Sequence, residues 1–203
     1  DFATCKPSAH YQLPLATSCP GKCEYCYLAT TLGKKPYVRL YVNVDQILAK
    51  AEDYIRERSP KITVFEGAAT SDPLAVEPFT GSLLRTIEFF GKSELGRFRF
   101  VTKQTEVESL LKASHEGHTR FRFSVNCRSA IQSYEHGVPG LDERVRAARL
   151  VADAGYPVGF IIAPIFIFPD WKQEYRELLD LLKQNTGNCR DLSFELISHR
   201  FTV

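Results

Sequence analysis

Apolar and polar residues alternate in several short runs of this chain. In Arg120-Phe121-Arg122-Phe123-Ser124-Val125-Asn126 every second side chain is polar, and Arg97-Phe98-Arg99-Phe100-Val101-Thr102-Lys103 keeps the pattern at Arg97, Arg99 and Lys103 with Val101 as the exception. That period of two belongs to a strand whose faces meet different surroundings. The same reading predicts strands at Tyr11–Ala16, Lys61–Glu66, Arg97–Lys103, Arg120–Asn126, Pro157–Ala163 and Asp191–Ile197. Between them, apolar residues recur with helical spacing, which predicts helices near Cys23–Leu32, Val44–Arg58, Leu83–Gly91, Val107–Ala113, Leu141–Ala154 and Lys172–Gln184. Gly155 stands just past the fifth of these, where a helix commonly ends in a left-handed residue. Strands alternating with helices argue for an α/β fold with a parallel sheet. Six such units fit a partial, TIM-like (β/α)6 barrel.

The strand parity also predicts a polar interior. Phe98, Phe100, Phe121, Phe123 and Val125 would pack under helices, as would Leu192, Phe194 and Leu196. Arg97, Arg99, Lys103, Arg120, Arg122, Ser124 and Asn126 would face inward, joined by Ser193, Glu195, Ile197 and His199 of the last strand. A filled barrel core would be branched aliphatic. Unpaired charges would be costly there, so Arg97, Arg99, Arg120 and Arg122 are expected to pair with Glu66 and Glu195 at the lower end. Lys103, Ser124 and Asn126 fall at C-terminal strand ends, where barrels of this kind bind ligands.

Composition narrows this reading only a little. With 203 residues, 44% hydrophobic and 25% charged, the chain is expected to form one globular domain over 1–203. A net charge of +2 gives no global field to attract nucleic acid, so only local patches could. Lys34, Lys35 and Arg39 could touch phosphate, or form an ordinary solvated face. No apolar run is long enough to predict a membrane span. The chain begins at Asp1 and has no methionine, from which we expect a piece of a longer protein or an altered one.

Three of the six cysteines lie within eight residues, in Cys19-Pro20-Gly21-Lys22-Cys23-Glu24-Tyr25-Cys26. That crowding favours a metal in a reducing compartment over disulfides. Gly21 is expected to let the loop turn through positive φ. Zinc would need four ligands, and His10 lies on the wrong side of the loop with no partner. A four-iron cluster needs a ligand at each iron, so three thiolates leave one iron open.

The C-x3-C-x2-C loop, with aromatic Tyr25 before its last cysteine, resembles the signature of the radical S-adenosylmethionine (AdoMet) superfamily. Further stretches resemble the spore photoproduct lyase family within it, from Lys6-Pro7-Ser8-Ala9 through Tyr25-Cys26-Tyr27-Leu28, Thr70-Ser71-Asp72 and Ala163-Pro164-Ile165 to His199-Arg200-Phe201-Thr202. The resemblance implies a [4Fe-4S] cluster on Cys19, Cys23 and Cys26, with AdoMet chelating the open iron. It implies AdoMet contacts at Tyr27, Ser71, Lys103, Ser124, Asn126 and Ala163, and catalytic roles for Tyr25 and Tyr27. The implied reaction is radical repair of the thymine dimer of spore DNA: a 5′-deoxyadenosyl radical takes hydrogen from C6 of the lesion, and a thiol returns one. The implied electron donor is a flavodoxin or ferredoxin, and the implied location is the cytoplasm of the spore core, without a membrane.

One position departs from the family pattern. Many members carry the donor cysteine just before Thr-Ser-Asp, where this chain has Ala69. Cys5, fourteen residues before Cys19, is the substitute expected to donate hydrogen, or else it is an ordinary thiol near the terminus. Two other readings stay open: a radical AdoMet enzyme with a different substrate, and a non-catalytic iron–sulfur module for electron transfer.

Overall fold

A computed structural model describes residues 1–6, 8–28, 37–189 and 191–198. Its frame is a parallel six-stranded sheet: β1 (Tyr11–Gln12), β4 (Thr63–Glu66), β5 (Gly96–Thr102), β6 (Thr119–Val125), β7 (Val158–Ile162) and β8 (Leu192–Leu196). These strands neighbour one another in chain order, as right-handed βα units laid side by side require. Among the described residues β1 and β8 pair only on one side, so the sheet stays open as a partial (β/α)6 barrel. A separate antiparallel ribbon joins β2 (Ala16–Thr17) to β3 (Arg39–Leu40).

Helices α1 (Val44–Glu57), α3 (Ser82–Lys92), α5 (Leu141–Asp153) and α6 (Trp171–Thr186) precede β4, β5, β7 and β8, where sequence periodicity predicts them. Val44, Ile47, Leu48, Ala51 and Ile55 make the buried stripe of α1, the i, i+3, i+4 pattern of an amphipathic helix. At the start of α5, Glu143 accepts the Gly140 N–H at 2.7 Å, satisfying a donor that helix geometry orphans. Gly155 ends it at φ 92°, as expected. The outward phenylalanines of β4 to β7 (Phe65, Phe98, Phe100, Phe121, Phe123 and Phe160) pack with the helix stripes into one core. No described helix is long and apolar enough to cross a membrane.

Several expectations are corrected. The segment expected to be a helix at Val107–Ala113 makes only a 3-10 turn, Glu108–Leu110. Its anchors Val107 and Leu110 are three apart, and the tighter turn buries both on one line. Of the first expected strand, Tyr11–Gln12 pairs in the main sheet and Ala16 begins the separate ribbon, while residues 13–15 between them pair in neither. Residues 23–26 form a turn rather than a helix, and most of the rest of Cys23–Leu32 lies outside the described residues. Two further helices, α2 (Glu77–Thr80) and α4 (Arg128–Tyr134), were not expected. Among the described residues β8 is the last strand and no helix follows it, and its outward Phe194 and Leu196 are 46% and 65% exposed rather than covered.

The polar interior is present, with a different pairing scheme. Glu66 accepts from Arg99 at 3.1 Å and from Arg122, which also reaches Glu195 at 2.7 Å. Gly159 stands between Arg122 and the last strand. A Cβ there would come within 2.5 Å of Ser193 Oγ and 3.1 Å of Arg122 Cγ, so only glycine leaves this crossing open. Arg120 pairs instead with Asp191 at 2.5 Å, and Arg97 donates to the carbonyls of Glu94 and Gly96 at 3.0 and 2.6 Å.

Candidate metal and cofactor site

The cysteine loop is held over the C-terminal strand ends by main-chain bonds to two other loops. On one side, Ser18 N donates to Thr70 O at 2.7 Å, beyond β4. On the other, Lys22 N donates to His136 O at 2.8 Å and Glu24 N to Tyr134 O at 2.9 Å, beyond β6. Cys26 N closes the turn on Cys23 O at 3.0 Å. Gly21 is not among the glycines at positive φ, contrary to expectation. Its reason is packing, because a Cβ there would lie 2.8 Å from Val138 Cγ1.

Burial raises the Cys19 thiol to about 12, helped by the nearby charge of Asp72, and burial also raises Cys23. Thiols so placed are poor nucleophiles when protonated and become thiolates when a cation takes the proton's place. Among the described residues no three His, Cys, Asp or Glu side chains converge as ligands of one metal ion.

Around this loop the expected cofactor residues come together unevenly. Ser71 Oγ is 4% exposed as a residue and has no hydrogen-bond partner among the described residues, an arrangement a bound ligand would satisfy. Lys103 Nζ donates to Ser124 Oγ at 3.0 Å and lies 5.4 Å from the Tyr25 ring centre. Asp72 fixes the base of this group. It accepts from Thr102 Oγ1 at 2.8 Å and from Lys103 N at 3.0 Å, while burial pushes its carboxyl up. Tyr27 O–H donates to the carbonyl of Ala69, the position where many family members have cysteine. Asn126 is more committed: Oδ1 accepts from Tyr175 O–H at 2.7 Å and Cys127 N at 3.0 Å, and Nδ2 donates to Pro164 O at 2.8 Å. One amide N–H remains for a ligand. Ala163 is buried beside it, joined to Pro164 by a cis peptide bond.

Cys5 lies apart from the strand-end group, in the turn before β1. Its N–H donates to His10 O at 3.3 Å, and His10 N in turn donates to Val64 O at 2.9 Å, beside the first half of β4. The thiol is 3.8 Å from Ser8 Oγ. Arg39 is exposed and hydrogen-bonded to Tyr37, whereas Lys34, Lys35 and His199 lie outside the described residues. Sequence reading missed Asp72, Glu135, Arg144 and Tyr175. Glu135 accepts from Tyr25 O–H and forms an ion pair with Arg144 at 2.6 Å. Only Asp72 carried a signal, as part of the Thr-Ser-Asp stretch; the others sit in ordinary helical or loop context.

The fold and the three-cysteine loop define a class. A solved structure of native anSMEcpe with bound AdoMet matches with a TM-score of 0.62 over 91% of this chain and 51% of its own, at 16% identity, which shows a shared fold. The resemblance is closer elsewhere. The spore photoproduct lyase family model matches residues 1–203, and the chain belongs to that family. It is 52% identical over 203 residues to the spore photoproduct lyase of Clostridium acetobutylicum, covering all of this chain and 60% of that protein. A spore photoproduct lyase double mutant, solved with bound AdoMet and dinucleoside spore photoproduct, matches at 53% identity and a TM-score of 0.95, covering all of this chain and 60% of that one. The chain thus spans about three-fifths of the length of these relatives.

Proposed function

We propose that this chain is the radical AdoMet domain, over 1–203, of a lyase that returns spore photoproduct in DNA to two thymines. The observation that carries the proposal is the buried, unpartnered Ser71 hydroxyl beside a three-cysteine loop, in a family whose relatives bind AdoMet and the lesion dinucleoside. Cys19, Cys23 and Cys26 would hold a [4Fe-4S] cluster, with AdoMet at its open iron. When bound, the pair supplies the one-electron chemistry that removes a hydrogen atom from C6 of the lesion.

The chain's own residues bind and orient. Ser71 offers its free hydroxyl to AdoMet, and Asn126 its remaining N–H. Lys103, steered by Ser124 and by the Asp72 bond to its backbone, brings a cation suited to a carboxylate. Tyr27 stands at Ala69 to relay hydrogen. Cys5 would give a hydrogen atom to the thymine carbon radical: the S–H bond breaks and a C–H bond forms, and the thiyl would regain a hydrogen atom through Tyr27 from the 5′-deoxyadenosine that carries the one taken from C6. Cys127 is sealed in the core and Cys189 lines a cleft near the opposite strand ends; Cys5, half-buried in the turn before β1, is proposed from the family pattern, in which Ala69 leaves the usual donor position without a thiol. The electron would come from a flavodoxin or ferredoxin in the spore core.

The test is repair of dinucleoside spore photoproduct by the anaerobically reconstituted, reduced protein with AdoMet, followed by chromatography. Intact thymine dinucleoside should form, and Cys5→Ala should divert it to side products. Cleavage of AdoMet without repair would point to a different substrate. Clean thymine from Cys5→Ala at unchanged turnover would remove Cys5 from the mechanism.

A further inference from the structure

Glu135 and Arg144 form an ion pair whose side chains are 1% and 0% exposed, with Nη2 to Oε2 at 2.6 Å, a contact of charges that are not aligned as a hydrogen bond. A pair buried this deeply roughly repays its own desolvation, so net stability is a weak reason for it. What it touches is more telling. Glu135 Oε1 accepts from Tyr25 O–H in the cysteine loop. Arg144 donates to Pro139 O at 2.8 Å and to Ser124 O at 3.0 Å. The hydroxyl of that same Ser124 holds Lys103 Nζ, which returns to within 5.4 Å of the Tyr25 ring centre. The contacts therefore close a circuit: Tyr25, Glu135, Arg144, Ser124, Lys103 and Tyr25 again.

The residues flanking Glu135 grip the same loop. Tyr134 and His136 accept from Glu24 N and Lys22 N, and Val138 packs where a Gly21 side chain would clash. His136 Nε2 also meets Glu24 Oε1 at 2.9 Å. The segment after α4 thus contacts the loop at Gly21, Lys22, Glu24 and Tyr25, between the first and last cysteines.

We propose that Glu135 and Arg144 are positioning residues for the metal centre, fixing the cysteine loop relative to the Lys103–Ser124 cofactor group through Tyr25. Tyr25 then serves as an anchor, its O–H committed to a carboxylate, and hydrogen relay falls to Tyr27. The proposal rests on the cluster reading above.

The test uses the full chain, reconstituted anaerobically, as wild type, as Tyr25→Phe and as the double variant Glu135→Gln/Arg144→Met. Tyr25→Phe leaves the buried ion pair in place but takes one hydrogen bond from Glu135, so it should fold and melt only slightly below wild type. Its iron should pass to a ferrous chelator on the order of tenfold faster, the equivalent of one charge-assisted hydrogen bond. The electron paramagnetic resonance signal of its reduced cluster should broaden and respond differently to AdoMet. The double variant removes both charges together, leaves neither unpaired, and should change the signal in the same way. A merely structural role would lower melting temperature and leave the signal of the folded protein unchanged. Wild-type iron release and wild-type spectra in Tyr25→Phe would overturn the proposal alone. A wild-type chain that takes up no iron would overturn both it and the cluster reading.

Discussion

Glu66 is the hinge of the barrel's interior charge network, and replacing it tests how that interior is held. Its carboxylate accepts from Arg99 and Arg122 and from the backbone N–H of Ala68 at 3.1 Å. Glu66→Gln keeps size and shape but removes the charge shared by two guanidiniums. Arg122 would keep Glu195, but Arg99 would lose its one direct carboxylate. Burial and the neighbouring Arg122 already lower the Arg99 pKa, while Glu66 opposes them. Leaving a buried charge without its partner costs about 3–5 kcal/mol. With a urea slope of about 2 kcal/mol/M, the midpoint should fall by roughly 1.5–2.5 M. Glu195→Gln is the control, because Glu195 is 36% exposed at its side chain and its loss should cost about 1 kcal/mol. Equilibrium urea unfolding followed by circular dichroism measures both. Equal losses in the two variants, or a loss under 1 kcal/mol for Glu66→Gln, would refute a network centred on Glu66.

Three further outcomes are expected. In a Cys5→Ala background, Ala69→Cys should restore clean thymine, because it places a thiol beside Tyr27; product analysis of the double variant checks this. Gly21→Ala should push Val138 away at a cost of about 1–3 kcal/mol and lower the iron retained after gel filtration. His10 Nδ1 accepts from Val64 N at 2.9 Å, and burial, then Arg58 and Lys6, lowers its pKa. The unfolded imidazole takes a proton below about 6.5 while the folded one resists, so stability should be level above that pH and fall as pH drops toward the folded value. The dependence should flatten in His10→Asn, as urea midpoints across pH 5–8 would reveal, using about the range where histidine titrates.

The frame was legible because its signals are local. A period of two across Arg97–Thr102 and Thr119–Val125, and helical stripes across Val44–Glu57 and Leu141–Asp153, are decided by each segment's own residues. The cysteine loop was legible for the same reason, since its three cysteines are neighbours in sequence. Helix α4 was not, because its first turn is capped from another element: Glu174 of α6 accepts from Ser129 N at 3.0 Å and from its hydroxyl. The exposure of Phe194 and Leu196 was hidden too, as a strand's alternation says which residues share a face and nothing of whether that face is covered. Glu135 and Arg144 lie nine residues apart in unremarkable context, and their partner Tyr25 is 110 residues from Glu135. Such long-range polar pairs leave no periodic trace.

The most direct test of the account is the metal and AdoMet content of the anaerobically reconstituted chain. The account predicts about four irons with matching sulfide per chain. It also predicts a reduced-cluster resonance that shifts when AdoMet is added, with both lost in Cys23→Ala. A single tightly held zinc, or a cluster indifferent to AdoMet, would contradict it.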